Sequence, residues 1–346
     1  MTTAFVTHKR FISHDMPGHP EHAGRLKSVW RKIEDGNLRD RMFTLVPKPL
    51  DEHTILLAHT TRHVNMLGQI EAMSDGPLYM IDADTYMTPD SYTIARIGAG
   101  AVCMAVDTVL DGEADHALVA VRPPGHHATA STPMGFCLLN NVAIAARHAQ
   151  KVHNLQRVLI VDYDVHHGNG TNDIFYEDDS VYFISTHQFP LYPGSGGLND
   201  TGRGKGDGYT MNIPVRAGTG DKSMARLYEE VIWKAVERYQ PQLIIVSAGF
   251  DAHHADPLAG LKFTLTGYAH LTRELIRMAE SVCDGNIVFA MEGGYDLEVI
   301  GTGMANVARC LLGDKDIVDT MGEPKDDSEP DINHLIESLK TVHELD

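Results

Sequence analysis

Residues 157–171 read RVLIVDYDVHHGNGT, and this stretch decides the fold. Its opening run, VLIV at 158–161, is apolar and largely β-branched, the pattern of a strand buried on both faces. The polarity then changes abruptly, with Asp162, Asp164 and His166 at alternate positions. In an extended chain, residues i, i+2 and i+4 face the same side. Two carboxylates and an imidazole thus leave the end of one strand together. Carboxylates at the end of an apolar strand are costly unless something compensates their charge. A divalent cation, Zn2+ or Fe2+, suits this donor set. Gly168, Asn169 and Gly170 then predict a tight turn.

Similar strand-like runs occur at 116–121, 181–185, 242–247 and 286–291. Between and around them lie helical patterns. In 19–36, Leu26, Val29, Trp30 and Ile33 recur at i, i+3, i+4 and i+7, and Gly36 ends the segment. Further helices are expected at 61–73, 91–110, 141–152, 222–239, 266–282 and 297–312. The small residues of IARIGAGAVCMAVDTVL, within 91–110, predict close packing against a sheet. Strand and helix alternate, which argues for an α/β fold with a parallel sheet covered on both faces. No internal repeat or linker divides it, so residues 1–313 read as one domain. Residues 314–346 are polar and acidic, and predict a surface extension ending in a helix near 332–343.

The chain has 346 residues, 43% hydrophobic and 22% charged, with a formal net charge of −18. That charge argues against direct nucleic-acid binding. Cys103, Cys137, Cys283 and Cys310 are scattered, with no Cys-x-x-Cys pair, so neither a disulfide framework nor a thiolate zinc site is indicated. The N-terminal MTTAFVTHKRF lacks the apolar core of a signal peptide. No apolar run is read as approaching the roughly 20 residues of a bilayer span. A cytoplasmic chain without membrane contact is the expectation, and self-association stays open.

In open α/β sheets, ligands bind outside the carboxyl ends of the strands. After the strand ending at 121 come Arg122, Gly125, His126 and His127. After 181–184 come Ser185, Thr186 and His187, after LIIVSAGF comes Asp251, and after IVFAM come Glu292 and Tyr295. Each piece alone is weak: the chain holds 20 histidines, and an Asp after a strand is often a helix N-cap. Their coincidence carries the argument. Asp164, His166 and Asp251, with an open position, describe a catalytic metal site. Such a metal lowers the pKa of a bound water and polarises a carbonyl. His126 and His127 are candidates for the general base, oriented by Asp162 and Asn169, and the Tyr295 hydroxyl is a candidate oxyanion donor. The parts describe metal-assisted amide or ester hydrolysis.

The chain also resembles the histone deacetylases, particularly their class II-like bacterial relatives in the arginase–deacetylase superfamily. The resemblance runs in order over residues 5–312. Its motifs are HPEHAGRL (19–26), RPPGHHA (122–128), GFCLLNNVAIAA (135–146), DYDVHHGNGT (162–171), SAGFDAHHADPLAG (247–260) and EGGYDL (292–297). It implies an arginase-like three-layer fold with a central eight-stranded parallel sheet. It also implies Zn2+, with Fe2+ as an alternative, on Asp164, His166 and Asp251. By the same resemblance His127 is the general base, Asp162 pairs with His126 and Asn169 with His127, and Tyr295 is the transition-state tyrosine.

Gly135 and Phe136 match one wall of the acyl-lysine channel, and Tyr192 the opposite one, in a loop shorter than in many relatives. Leu258 stands where a polyamine-specific branch carries glutamate. Structural K+ is implied at Asp162, Asp164, His166, Ser185 and Thr186, and again at Phe175, Asp178, Val181 and Tyr209. Arg25 matches a residue beside an acetate exit pocket, and Asp82 or Asp84 a residue at the channel mouth. The implied substrates are acylated lysines in proteins or small acylated amines. A polyamine deacetylase is the alternative, a catalytically silent acyl-lysine binder ranks below it, and a two-manganese guanidino hydrolase ranks low.

Overall fold

A computed structural model of the chain describes every residue except Met1, Ser74, Asp75 and Pro77. Met1, the first residue of the predicted domain, lies outside the described residues. The strands are β1 (Thr3–Thr7), β2 (Phe43–Leu45), β3 (Tyr79–Met80), β4 (Tyr86–Met87), β5 (His116–Ala120), β6 (Val158–Asp162), β7 (Val181–Gln188), β8 (Thr210–Val215), β9 (Leu243–Ala248) and β10 (Ile287–Met291). Eight of them form one sheet in the order β2-β1-β5-β10-β9-β6-β7-β8, with every pairing parallel. The expected eight-stranded parallel sheet is therefore present. The remaining two, β3 and β4, pair as a short antiparallel ribbon.

The helices are α1 (Gly24–Asp35), α2 (Glu52–Ile55), α3 (Thr61–Met73), α4 (Ser91–Leu110), α5 (Asn141–His153), α6 (Asn169–Phe175), α7 (Asp221–Leu227), α8 (Trp233–Tyr239), α9 (Leu265–Val282), α10 (Leu297–Leu311) and α11 (Asn333–Val342). A π-helical turn over Tyr228–Ile232 joins α7 to α8. Helix α4 packs on β1, β5 and β10 and against α5, while α1, α9 and α10 pack together, with α10 also on β5. By length and composition α4 would pass as a membrane span, contrary to the reading from sequence, yet 72% of its apolar window is buried inside the fold. Its small residues allow the close contact: a Cβ on Gly100 would lie 2.4 Å from the Lys48 carbonyl oxygen.

Several boundaries differ from the sequence reading. Residues 19–23 precede α1 rather than joining it, because Pro20 keeps His19 out of the helical region and Glu21 turns inward. The turn expected at 168–170 is a helix start, with Gly168 capping α6. Strand β7 continues past Ser185 to Gln188, so Thr186 and His187 lie within the sheet rather than beyond it. The strand β8, TMNIPV, carries no clear strand pattern. It sits at the sheet edge, where Pro214 is tolerated.

The segment after residue 313 lies back on the body. Asp314 accepts two hydrogen bonds from Arg41, at 2.8 and 2.7 Å, and Glu329 accepts the backbone N–H groups of Lys222 and Ser223. Ile336 and Leu339 of α11 are buried.

Beneath the carboxyl end of β5 a wholly buried ion cluster ties α1 to the sheet. Arg122 Nη2 donates to Glu21 Oε2 at 2.7 Å, and Arg25 Nη1 to Glu21 Oε1 at 2.9 Å. Burial alone would raise the Glu21 carboxyl, but Arg122 and Arg25 outweigh it and hold the pKa down, from 4.5 to about 2. A depressed carboxylate contributes stability that is fully present above pH 4.5 and is lost as pH falls to about 2. Removing one partner of a buried cluster costs about 3–5 kcal/mol. Glu21→Gln should lose roughly that much at neutral pH in denaturant titration, and its stability should fall less steeply than wild type between pH 4.5 and 2.

Candidate active site

Four neighbouring strands in the middle of the sheet, β5-β10-β9-β6, deliver the candidate residues from one end. Strand β6 stops at Asp162, so the alternation that suggested a shared face continues only as a looped chain. Side-chain turns hold the loop. The Asp164 N–H donates to Asp162 Oδ1 at 3.1 Å, and the His166 N–H to Asp164 Oδ1 at 3.0 Å. Asp164 and His166 thereby meet Asp251, which lies three residues beyond β9. One donor atom from each lies within 4.8 Å of the others, and all three residues are buried. The Gly293 N–H donates to Asp164 Oδ2 at 2.8 Å, and the Val165 N–H to Asp251 Oδ1 at 2.9 Å.

Asp162 turns the other way. His126 Nδ1 donates to its Oδ2 at 2.9 Å, and His127 Nδ1 donates to Asn169 Oδ1 at 2.7 Å. The two imidazole centroids are 4.0 Å apart. Burial would lower the pKa of His126, but Asp162 and Asp164 outweigh it and raise it well above the usual range. For His127, burial and then the neighbouring His126 act together and push it well below. The two neighbours are thus driven in opposite directions, His126 toward the cation and His127 toward the neutral imidazole, as expected when titratable neighbours have opposed environments. Burial also opposes a charged His166, yet its bonds to Asp164 and Asp251 raise it to about 10. Two buried carboxylates demand a cation at this point. A metal fits the donor set, because two carboxylates and an imidazole each bring a donor atom within 4.8 Å of the others. A Cβ on Gly249 or Gly293 would come within 2.1 Å of an Asp164 or Asp251 carboxylate oxygen.

Aromatic rings flank this cluster. Phe136 has φ 68°, a left-handed conformation that side chains other than glycine rarely adopt. Its ring meets Tyr295 edge-on at 5.8 Å. A Cβ on Gly135 would lie 2.4 Å from His127 Cδ2. Tyr192 meets His127 edge-on at 5.1 Å and His166 at 6.2 Å. Burial pushes the Tyr295 phenol well above its usual pKa, so it stays a hydrogen-bond donor. Leu258 is half-buried, and its N–H donates to Asp256 Oδ1 at 3.0 Å. Asp82 is exposed and spends one oxygen on the N–H groups of Asp84 and Thr85, whereas Asp84 is half-buried.

The remaining expected residues fall in two groups. Asp162 pairs with Ser185 across β6 and β7, and Thr186 Oγ1 donates to the Asp162 carbonyl at 3.5 Å. Elsewhere the Asp178 N–H donates to the Phe175 carbonyl at 3.0 Å, Val181 opens β7, and the Phe183 N–H donates to the Tyr209 carbonyl at 3.0 Å. Arg25 is buried behind the Tyr295 loop. Its Nε donates to the Gly294 carbonyl at 2.7 Å, and its guanidinium lies 4.9 Å from the Tyr295 ring centre.

A match to the histone deacetylase domain spans residues 19–311. The chain belongs to the histone deacetylase family. It is 38% identical to "Histone deacetylase 14, chloroplastic" of Arabidopsis thaliana over 96% of this chain and 82% of that one. It is 37% identical to "Probable deacetylase" of Archaeoglobus fulgidus over 99% and 98%. The crystal structure of the HDA15 HD domain superimposes with a TM-score of 0.90 at 30% identity, covering 99% of this chain and 94% of that one. The arginase-like fold and hydrolytic deacetylase activity follow from this membership. Members of the family are generally metal-dependent, and the chain carries a residue group able to hold a metal.

Two supporting residues of this histone deacetylase fold take roles that the sequence does not assign, although Glu292 stands among the strand-end groups read from it. Glu292 Oε2 accepts the Gly125 N–H at 2.6 Å and the His126 N–H at 3.3 Å, bracing the histidine pair. Asp256 Oδ2 accepts the Tyr295 N–H at 2.7 Å. Both lie inside motifs read above; Glu292, directly after β10, shows the signal of a charge at the end of a buried strand, whereas Asp256 lies in a loop well past β9 and shows none. Glycine spacing is the other missed signal. Gly293→Ala should drive its Cβ into Asp251 and Asp164 and remove room for their oxygens. Metal affinity, measured by equilibrium dialysis, should fall at least about 10–100-fold, with the far-ultraviolet circular dichroism unchanged.

Proposed function

We propose that this deacetylase is a zinc-dependent amidohydrolase acting on acyl-lysine side chains. The observation that carries the reading is the meeting of Asp164, His166 and Asp251 beside His127, which burial drives toward the neutral form, and Tyr295, whose phenol burial holds well above its usual pKa. Asp164, His166 and Asp251 would hold the ion. When bound, Zn2+ lowers the pKa of a water and polarises the amide carbonyl, and Fe2+ serves the same oxygen-rich donors. His127, fixed through Nδ1 by Asn169, keeps its Nε2 free to take the water's proton and pass it to the leaving amine. His126, held cationic by Asp162, adds positive charge beside the developing oxyanion. Tyr295 donates its O–H to that oxyanion. Asp256 and Arg25 hold its loop in place.

Phe136 and Tyr192 would enclose the aliphatic stem of the substrate, contacting methylenes while excluding water. Leu258 offers no charge to an ammonium in the channel. Asp84 at the rim is suited to a peptide N–H or to a cationic amine, so acetylpolyamines are the second reading. K+ would sit at Asp162, Asp164, His166, Ser185 and Thr186, and again at Phe175, Asp178, Val181 and Tyr209, bracing the loops structurally. A binder without turnover is opposed by the intact His127 and Tyr295.

The decisive experiment compares hydrolysis of acetyl-lysine peptides, longer acyl-lysines and acetylpolyamines by protein loaded with Zn2+ or Fe2+. Acyl-lysine should give the highest kcat/KM. Release of no acid from any of these substrates would sink the reading. Tyr295→Phe should lower kcat about 10²–10³-fold with KM little changed. Equal rates for variant and wild type would favour a silent binder.

A further inference from the structure

Asp107, near the end of α4, faces His148 and His153 in the last two turns of α5, away from the catalytic loops. Both imidazoles aim Nε2 at one oxygen, at 2.7 Å for His148 and 2.8 Å for His153 from Asp107 Oδ1. One donor atom from each of the three residues lies within 4.8 Å of the others. The other ring nitrogen of His153, Nδ1, is 3.9 Å from Asp111 Oδ1. The histidine side chains are 14% and 15% exposed and that of Asp107 39%, so the group is held in place yet open to solvent.

We propose that Asp107, His148 and His153 form a second divalent-metal site, selective for Zn2+ or a similar borderline cation, with Asp111 orienting His153. Two imidazoles and a carboxylate are a zinc donor set, and partial exposure leaves a position for water. Zinc–nitrogen bonds of about 2.0–2.1 Å set tetrahedral donors roughly 3.3 Å apart, within reach of small ring rotations here. The tautomers favour it. If a neutral His153 donates from Nε2 to Asp107, its bare Nδ1 lone pair faces the Asp111 carboxylate. With the ion on Nε2, the proton moves to Nδ1 and is donated to Asp111, the usual outer partner of a metal-bound histidine.

The site would tie the far ends of α4 and α5. The near end of α5 carries Asn140 and Asn141, whose side-chain amides donate to the Ala128 and Pro123 carbonyls, each at 3.2 Å, on either side of the histidine pair. Bound Zn2+ should raise Tm by joining α4 to α5, and because His148 and His153 bond to Asp107 rather than to the catalytic cluster it should not enter the chemistry. Chelator-stripped protein is dialysed against Zn2+, and bound metal is counted by elemental analysis beside thermal melts. His148→Gln/His153→Gln keeps an amide N–H for Asp107 but ligates poorly. It should bind one Zn2+ per chain fewer than wild type and lose the corresponding rise in Tm, with deacetylase turnover unchanged. Asp107→Asn, a milder change, should do the same. Equal zinc counts in wild type and variants overturn the proposal and leave a hydrogen-bonded ion-pair group. Absent turnover in all three proteins would sink the catalytic reading and leave this comparison intact.

Discussion

Asp162, Asp164, Asp251 and Glu292 place four carboxylates, each essentially without solvent contact, over the centre of one sheet. Charge at that density cannot persist in a low-dielectric interior without compensation. The surroundings supply it in two forms. Backbone N–H groups from 125, 164, 165, 166 and 293 point at the oxygens. The remaining charge falls on imidazoles, and His126 and His166 are both driven toward the cation. A divalent ion is the natural resolution of what remains, since Asp164, His166 and Asp251 each bring a donor atom within 4.8 Å of the others.

That compensation dictates the local backbone. Donor N–H groups reach the carboxylates only if the chain passes very close, which excludes a Cβ at 168, 249 and 293. The same demand explains why the residues come from adjacent strands. Asp162 pairs in register with Ser247, and Met291 with Ala248, so three strand ends finish side by side. Their loops then need no long excursion to meet. The parallel sheet is a device for bringing unlike loops together, and its order places β10 between the histidine strand and the Asp251 strand.

Much of this was legible in the chain because burial and charge conflict visibly there. An apolar run that ends in Asp162 and Asp164 has few physical explanations, and the motif resemblance then distributed roles among His126, His127, Asn169 and Tyr295. Residues whose work is indirect were less visible. Glu21 resembles any helix-entry acid until Arg25 and Arg122 are seen converging on it from distant parts of the chain. Asp256 acts through the Tyr295 backbone N–H, which leaves no sequence pattern, and the strand-end position of Glu292 marks its charge but not its part in bracing Gly125 and His126. The strand β8 was missed because an edge position relaxes the apolar pattern that marks a central strand. The turn expected at Gly168 became a helix start, since glycine permits either and only the packing against Asp162 decides.

Two kinds of electrostatics thus serve the site, and they differ in what they fix. The Glu21–Arg25–Arg122 cluster is internally neutralised to within one charge, and its excess positive charge faces the loop bearing Tyr295. Arg25 holds that loop by its carbonyls while its guanidinium lies against the tyrosine ring. A phenol so placed is oriented by the cluster but cannot ionise, because burial outweighs the nearby cation. His127 is the converse case. Its position comes from one neutral hydrogen bond to Asn169, and its charge state from burial and the cation next to it. An aspartate at 169 would favour the imidazolium instead. A neutral amide therefore orients His127 without drawing a proton onto it, whereas the carboxylate that faces His126 does both.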